Sequence, residues 1–358
     1  MLYHFLYPLS TSFGAFNVFK YITVRSFLAF GIALLCSVII GKYFILWLKK
    51  KQFGQVIREE GPQSHKMKSG TPTMGGMFMW IAGVVALIFC ANFDSAPIMA
   101  TLLVALSYGV LGFTDDYKKI TKKNTIGVSA RAKLIWQFAT GIAVMSYLIF
   151  GQHITTELYV PFFKNPVFDM GYFYIFFGAL VIVGSSNAVN LTDGLDGLAI
   201  GPIMTSLATL GFLTYFGGHA ELANYLLIPL VKNQGELLVI CSALIGAGLG
   251  FLWYNSYPAQ IFMGDLGALS LGGVIGVMAV ISKNEFLLVI FGGIFVLEAL
   301  SVIMQVAYFK TKRKRIFKMA PIHHHFELSG ISEPKVIVRF WIVSLLLSVI
   351  ALATLKIR

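Results

Sequence analysis

The chain has only three cysteines in 358 residues, and charged side chains make up just 12% of it. Cys36, Cys90 and Cys241 each fall inside an apolar run, which excludes a disulfide framework and a thiolate metal site and leaves packing as their role. No stretch is polar enough and long enough for a large soluble domain, and no convincing internal repeat is present. The first 26 residues lack a basic start followed by a cleavage site, so they read as an interfacial segment rather than a removed signal. Amphipathic alternation is replaced by unbroken runs such as Leu237 to Trp253, which argues against a soluble protein with one large core.

Hydrophobic residues make up 57% of the chain, in blocks of about twenty, the length that crosses a bilayer as helix. Spans are predicted near 27–48, 74–93, 97–113, 134–151, 171–189, 197–216, 237–254, 261–281, 285–309 and 336–356. The expected fold is therefore all-α: one polytopic integral membrane domain over 1–358 with about ten transmembrane helices. Threading the chain through these spans puts the loops near 49–73, 114–133, 190–197, 255–265 and 310–335 on one side. Most of the basic residues behind the net charge of +12 sit there, while the other side offers little beyond Lys164, Lys232 and Lys283. By the positive-inside rule those loops are cytoplasmic and both termini are periplasmic.

The polar residues suited to chemistry fall on the same side, which the charge count did not presuppose. They are Thr71 to Gly76, Asp115-Asp116, Val189 to Gly197, Asn255 to Asp265 and His323-His324-His325. A carboxylate at membrane depth costs about 2.5–3.5 kcal/mol on insertion scales, so Asp193 and Asp196 beside two glycines need a reason. Either they form part of a site or they cap the next helix. Asp115, Asp116, Asp193, Asp196 and Asp265 are hard oxygen donors suited to Mg²⁺, which keeps a substrate phosphate among its ligands. Adjacent Asp115 and Asp116 cannot both face one ion from a regular helix. One is expected to face the site while the other bonds backbone or positions a base; alternatively Lys118 and Lys119 simply neutralise both.

Three consecutive histidines are poorly spaced for zinc. After the basic run Lys310 to Lys318 they are better suited to gripping phosphate oxygens, with a solvated loop as the bland alternative. Glu298 and Gln305 share one face of the ninth span; Gln305 is expected to reach a ligand, and Glu298 to be a structural acid with a hydrogen-bond partner.

Taken in order, Gly61 to His65, Thr71 to Gly76, Asp115-Asp116-Tyr117, Asn187 to Gly197, Phe262 to Asp265 and Ala320 to Leu328 resemble the polyprenyl-phosphate hexosamine-1-phosphate transferases over nearly the whole chain. The triple histidine followed by an acid looks like the muramoyl-pentapeptide branch more than its N-acetylglucosamine relatives. The resemblance implies transfer of phospho-MurNAc-pentapeptide from UDP-MurNAc-pentapeptide to undecaprenyl phosphate. The products are UMP and lipid I, in the first membrane step of peptidoglycan synthesis. It implies a bacterial inner-membrane enzyme with its site facing the cytoplasm, membrane lipid around it, a homodimer, and no nucleic-acid partner. Asp265 is then the leading Mg²⁺ ligand, with Asp115 and Asp116 completing the metal set and handling the lipid phosphate. One of that pair deprotonates the lipid phosphate for direct attack, or, in a two-step alternative, an aspartate attacks first. Lys68, Thr73, Asn190, Asp193, Asp196, Asn255, Phe262 and Gln305 fall to the nucleotide substrate, with Phe262 stacking on uracil. Lys133, His323, His324 and His325 meet phosphate or sugar, His324 as part of the catalytic set.

Two other classes keep carboxylates in the membrane. A proton-coupled transporter predicts flux without covalent change. An aspartyl protease would need glycine at 262 for Gly-x-Gly-Asp, where this chain has Phe262.

Overall fold

Helix α9 (Gly264–Ile281) is apolar on every face, and each residue from Leu266 to Ile281 is buried. A helix of that kind belongs inside a bundle, not on its surface. The computed structural model describes residues 2–51, 70–122 and 127–356, and the other elements surround α9. Its neighbours are α2 (Gly76–Cys90), α3 (Ala96–Thr121), α5 (Tyr174–Thr192), α6 (Ile200–Gly217) and α10 (Glu285–Phe291). The approach of α5 is close enough that a Cβ on Gly272 would lie 2.7 Å from the Ser186 Cα. Small residues permit this packing where surrounding lipid supplies no hydrophobic drive between helices. Outside this centre, α1 (Ile22–Lys50) lies along α8 (Leu237–Asn255), and α4 (Ala130–Ser146) along α5. Helix α13 (Glu333–Ala353) packs on α6 and α10.

Among the described residues nine helical segments are long and apolar enough to cross a membrane, and α2, at 15 residues, is a shorter tenth apolar helix. The ten spans expected from sequence are all represented, with one correction. The span expected over 285–309 is broken at Gly292 into α10 and α11 (Gly293–Lys312). Two successive glycines, Gly292 and Gly293, remove the side-chain contacts of one turn and have weak helix propensity. Four smaller elements lie outside the hydropathy reading: the antiparallel pair β1 (Glu157–Leu158) and β2 (Phe168–Asp169), α7 (Ala220–Leu226), and α12 (Ile322–Leu328) over the histidines.

The helix order puts the start of α1 and the end of α13 at the same end of the bundle, away from the start of α9. Arg25 at the start of α1 meets Cys90 and Glu236, and Lys356 bonds the Tyr225 carbonyl near α7. At the opposite end, beside the start of α9, the last turns of α1, α3 and α11 carry Lys49 and Lys50, Lys118 and Lys119, and Lys310 and Lys312. Cations there suit the negative ends of the helix dipoles as well.

Candidate active site

The last two turns of helix α3 carry Asp115-Asp116-Tyr117-Lys118-Lys119 and lean against the start of α9. Asp115, Asp116 and Asp265 offer oxygens that lie within 4.8 Å of one another. Asp115 is fully buried; one oxygen accepts the Val128 N–H at 2.6 Å and lies 3.0 Å from the Lys133 ammonium. Its other oxygen lies 2.6 Å from Lys119, one helical turn further along α3. The same two lysines reach Asp265, Lys133 at 2.7 Å and Lys119 at 3.3 Å, and Asn190 donates to the second Asp265 oxygen at 3.0 Å. Two ammonium groups therefore bridge two carboxylates, and part of the Asp265 side chain remains exposed. Such a cluster can exchange its internal ion pairs for contacts with phosphate oxygens at modest cost, because the charges are already desolvated and gathered.

Asp116 behaves differently from its neighbour. Its oxygens accept the backbone N–H groups of Asp265 and Leu266, each at 3.2 Å. For Asp193, just past the end of α5, burial, helped by the charges of Asp265 and Asp196, pushes the carboxyl up to about 7. Asp196 bonds the Ala259 N–H at 2.9 Å through its side chain and the Glu333 carboxylate at 3.1 Å through its own N–H. It ties the turn after α5 to the segment leading into α9.

That leading segment is clamped from two sides. Phe262 donates its N–H to the Pro72 carbonyl at 2.9 Å and accepts the Gly75 N–H at 2.8 Å, and Gly76 bonds Met263 at 2.9 Å. Thr73 is buried in this clamp, and the side chain of Phe262 is half-buried. Asn255, itself buried, donates to the Ile261 carbonyl at 2.8 Å and so closes the turn before Phe262. Lys68 and the Gly61–His65 motif lie outside the described residues.

The three histidines point to three different partners. His323 is fully buried, with Nδ1 3.1 Å from Glu298 and Nε2 packed against Gly194, where any larger residue would collide with the ring. Glu298 is fully buried as well, yet no hydrogen bond of good geometry joins its carboxylate to His323 or to another described residue, so the hydrogen-bond partner expected for this acid is replaced by a nearby imidazole. His324 faces Glu327 at 2.9 Å, and His325 accepts the Lys318 N–H at 3.1 Å. A helix turns each successive residue by about 100°, so one ligand cannot be gripped by all three from α12. Gln305 spends its amide on the basic loop: its oxygen accepts the N–H groups of Ile316 and Phe317 at 3.0 Å, and its nitrogen donates to the Phe317 carbonyl at 3.2 Å.

The structure thus brings Asp115, Asp116, Lys133, Asn190, Asp193 and Asp265 together, and uses Asp196, Asn255 and Gln305 to hold the surrounding loops. Sequence reasoning treated Lys119 only as a counter-charge, although its place four residues after Asp115 was a usable signal. It also passed over Gln137, a fully buried amide in α4 that donates to Ser186 at 3.2 Å and accepts from Asn187 at 2.9 Å. A lone amide inside an apolar run was its signature.

Fold and site together define a multi-pass membrane enzyme with a charged centre at one end of the bundle. The chain belongs to glycosyl transferase family 4, whose sequence profile matches residues 98–283, from the first turn of α3 to just past α9. Its similarity to curated proteins extends over the full length. It is 54% identical over 358 residues, all of both chains, to the phospho-N-acetylmuramoyl-pentapeptide-transferase of Citrifermentans bemidjiense. A protein of the same name from a Geobacter species also matches at 54%, and one from Maridesulfovibrio salexigens at 51% over 359 residues, again covering both chains completely.

Proposed function

We propose that the protein transfers phospho-MurNAc-pentapeptide from UDP-MurNAc-pentapeptide to undecaprenyl phosphate, giving lipid I and UMP at the cytoplasmic face of a bacterial inner membrane. The observation that carries this reading is the pair of lysines, Lys119 and Lys133, each bridging Asp115 and Asp265 beside Asn190. Phosphoryl transfer asks a protein mainly for alignment and charge neutralisation, and this cluster offers both. The choice of sugar follows the name shared by the full-length relatives. The cytoplasmic orientation follows the lysines at the same ends of α1, α3 and α11, on the side where the nucleotide substrate is dissolved.

In the reaction an oxygen of the lipid phosphate attacks the β-phosphorus of the nucleotide, and the bond to the UMP oxygen breaks. Lys119 and Lys133 meet the incoming phosphate oxygens, and Asp115 keeps both ammonium groups in place. The base role suggested for the aspartate pair falls to Asp115, because Asp116 spends both oxygens on backbone. The resemblance gives Asn190 and the half-buried Phe262 to the nucleoside half, and His324, whose ring lies 4.1 Å from that of His323, to the phosphate or sugar. Three carboxylates with oxygens within 4.8 Å and no sulfur donor fit a hard divalent cation. Of the three, Asp265 and Asp115 would hold Mg²⁺, which would supply charge neutralisation on the departing UMP, while Asp116 stays turned to backbone. A homodimer and an interfacial place for residues 1–26 belong to the same reading.

The test offers purified protein UDP-MurNAc-pentapeptide or UDP-GlcNAc together with undecaprenyl phosphate and Mg²⁺, and measures UMP and lipid-linked diphosphate. UMP release with the first donor alone, lost on chelation, is expected. Preference for UDP-GlcNAc would reject the muramoyl assignment, and solute flux without a new lipid would reject the transferase.

A further inference from the structure

We infer that Asp116 is a positioning residue, which aims Asp265 by capping α9 from outside its own helix. The first N–H groups of a helix have no acceptor within it and need one from elsewhere. Nearby positions usually supply Ser, Thr, Asp or Asn, but here the chain reads Ile261-Phe262-Met263-Gly264, and the residue before α9 makes no side-chain cap. The acceptor comes instead from a distant segment: the two oxygens of Asp116 take the N–H groups of Asp265 and Leu266.

Gly264 supports the same assignment independently. Its φ is +78°, and a Cβ there would lie 2.5 Å from an Asp116 oxygen and 3.1 Å from the Thr73 hydroxyl. The backbone at the start of α9 is therefore drawn onto Asp116 as closely as a residue without a side chain permits. Asp116 is almost fully buried, with its oxygens turned to backbone, whereas Asp265 keeps part of its side chain exposed. Carboxylates serve this cap better than hydroxyls. One carboxylate can accept two adjacent N–H groups, and its charge complements the positive end of the helix. Because the cap reaches in from α3, the direction of Asp265 is fixed relative to Asp115 on the same helix and to Asn190, which bonds it from α5.

The inference rests on the proposed transfer only in its kinetic arm. Amide hydrogen exchange is measured over 262–267 in the whole protein, as wild type, Asp116→Ala and Asp116→Asn, alongside kcat and the KM for the nucleotide donor. With its acceptor removed, Asp116→Ala should exchange the amides of Asp265 and Leu266 at least ~10-fold faster. It should lose roughly 10²-fold in kcat while the donor KM stays within about threefold, as expected for a displaced catalytic group. Asp116→Asn retains an acceptor oxygen and should recover most of the protection and all but about tenfold of kcat. Unchanged exchange in Asp116→Ala would overturn the inference. So would an Asp116→Asn protein as inactive as Asp116→Ala, since that pattern marks a proton acceptor or an ion ligand. Exchange is read without substrate, so failure of the proposed reaction and failure of the cap remain distinguishable.

Discussion

Both ends of this bundle bury charge, and they do so in opposite ways. At the end away from the site, the fully buried Arg25 meets Glu236 through two bonds of 2.7 and 2.8 Å, and donates to the Cys90 carbonyl at 3.1 Å. Tyr3 stacks over its guanidinium at 4.7 Å. Each charge there has one main partner, and the planar fork suits a fixed two-bond pairing. At the site end, Asp115 and Asp265 share Lys119 and Lys133, and none of the four groups has a partner to itself. Exclusive pairing makes a joint, whereas shared pairing leaves charges that an anionic ligand can recruit. The same membrane cost of burying charge is thus met once by a closed pair and once by an open cluster.

The comparison breaks most sharply at Asp265. Asp265→Asn removes a charge that two lysines and Asn190 surround, and should lower turnover by at least ~10³-fold while the folded protein survives. UMP release under Mg²⁺ and size-exclusion chromatography measure the two halves of that expectation. Near-normal turnover would move the chemistry elsewhere. Lys133→Met should cost about 10²-fold, because Lys119 still reaches both carboxylates and shares the work. A loss no larger than threefold would show that the cluster does not meet phosphate through Lys133.

Much of this contrast could not be read from the sequence. The bundle itself was legible because twenty-residue apolar runs have few alternatives, and loop charge alone picked out the end where the polar motifs converge. The Asp115-Asp116 pair was half legible. Neighbours on a helix point about 100° apart, so one had to turn away, but only the placement of α9 decides that Asp116 is the one with both oxygens on backbone. Arg25 and Glu236 are 211 positions apart, and no periodicity says that the starts of α1 and α8 are adjacent. A histidine triplet looks like a single grip in the sequence, but the short helix over it turns the three rings to different partners. Gln305 was expected to face a ligand since its helix face was right, yet the loop at Ile316–Phe317 folds back onto its amide.

The closed end should respond in stability and not in turnover. Glu236→Gln leaves Arg25 without its counter-charge in a dry site, and breaking one side of a buried pair costs about 3–5 kcal/mol. The expected result is a clear drop in Tm with kcat per folded molecule unchanged. A fall in kcat with no change in Tm would couple that end to the chemistry and erase the distinction drawn between the two.

The smallest effect belongs to Lys283, beyond the end of α9. Its ammonium sits over the Tyr174 ring at 3.6 Å, donates to the Thr155 carbonyl at 2.9 Å and lies 3.9 Å from Glu285. Burial pulls this lysine down to about 8 from its ordinary 10.5, although Glu285, Glu157 and Asp169 oppose the shift. The unfolded chain therefore binds more protons here than the folded one between pH 8 and 10.5, so stability from this group rises with pH across that window. Below pH 8 the folded protein carries the full cost of a buried charge, and Lys283→Met should change stability by no more than ~1 kcal/mol, in either direction. Between pH 8 and 10 the Tm of wild type should climb relative to that of Lys283→Met, since only wild type sheds a buried charge. A gap that stays constant would mean that the lysine remains charged and that Glu285 holds it as firmly as Glu236 holds Arg25.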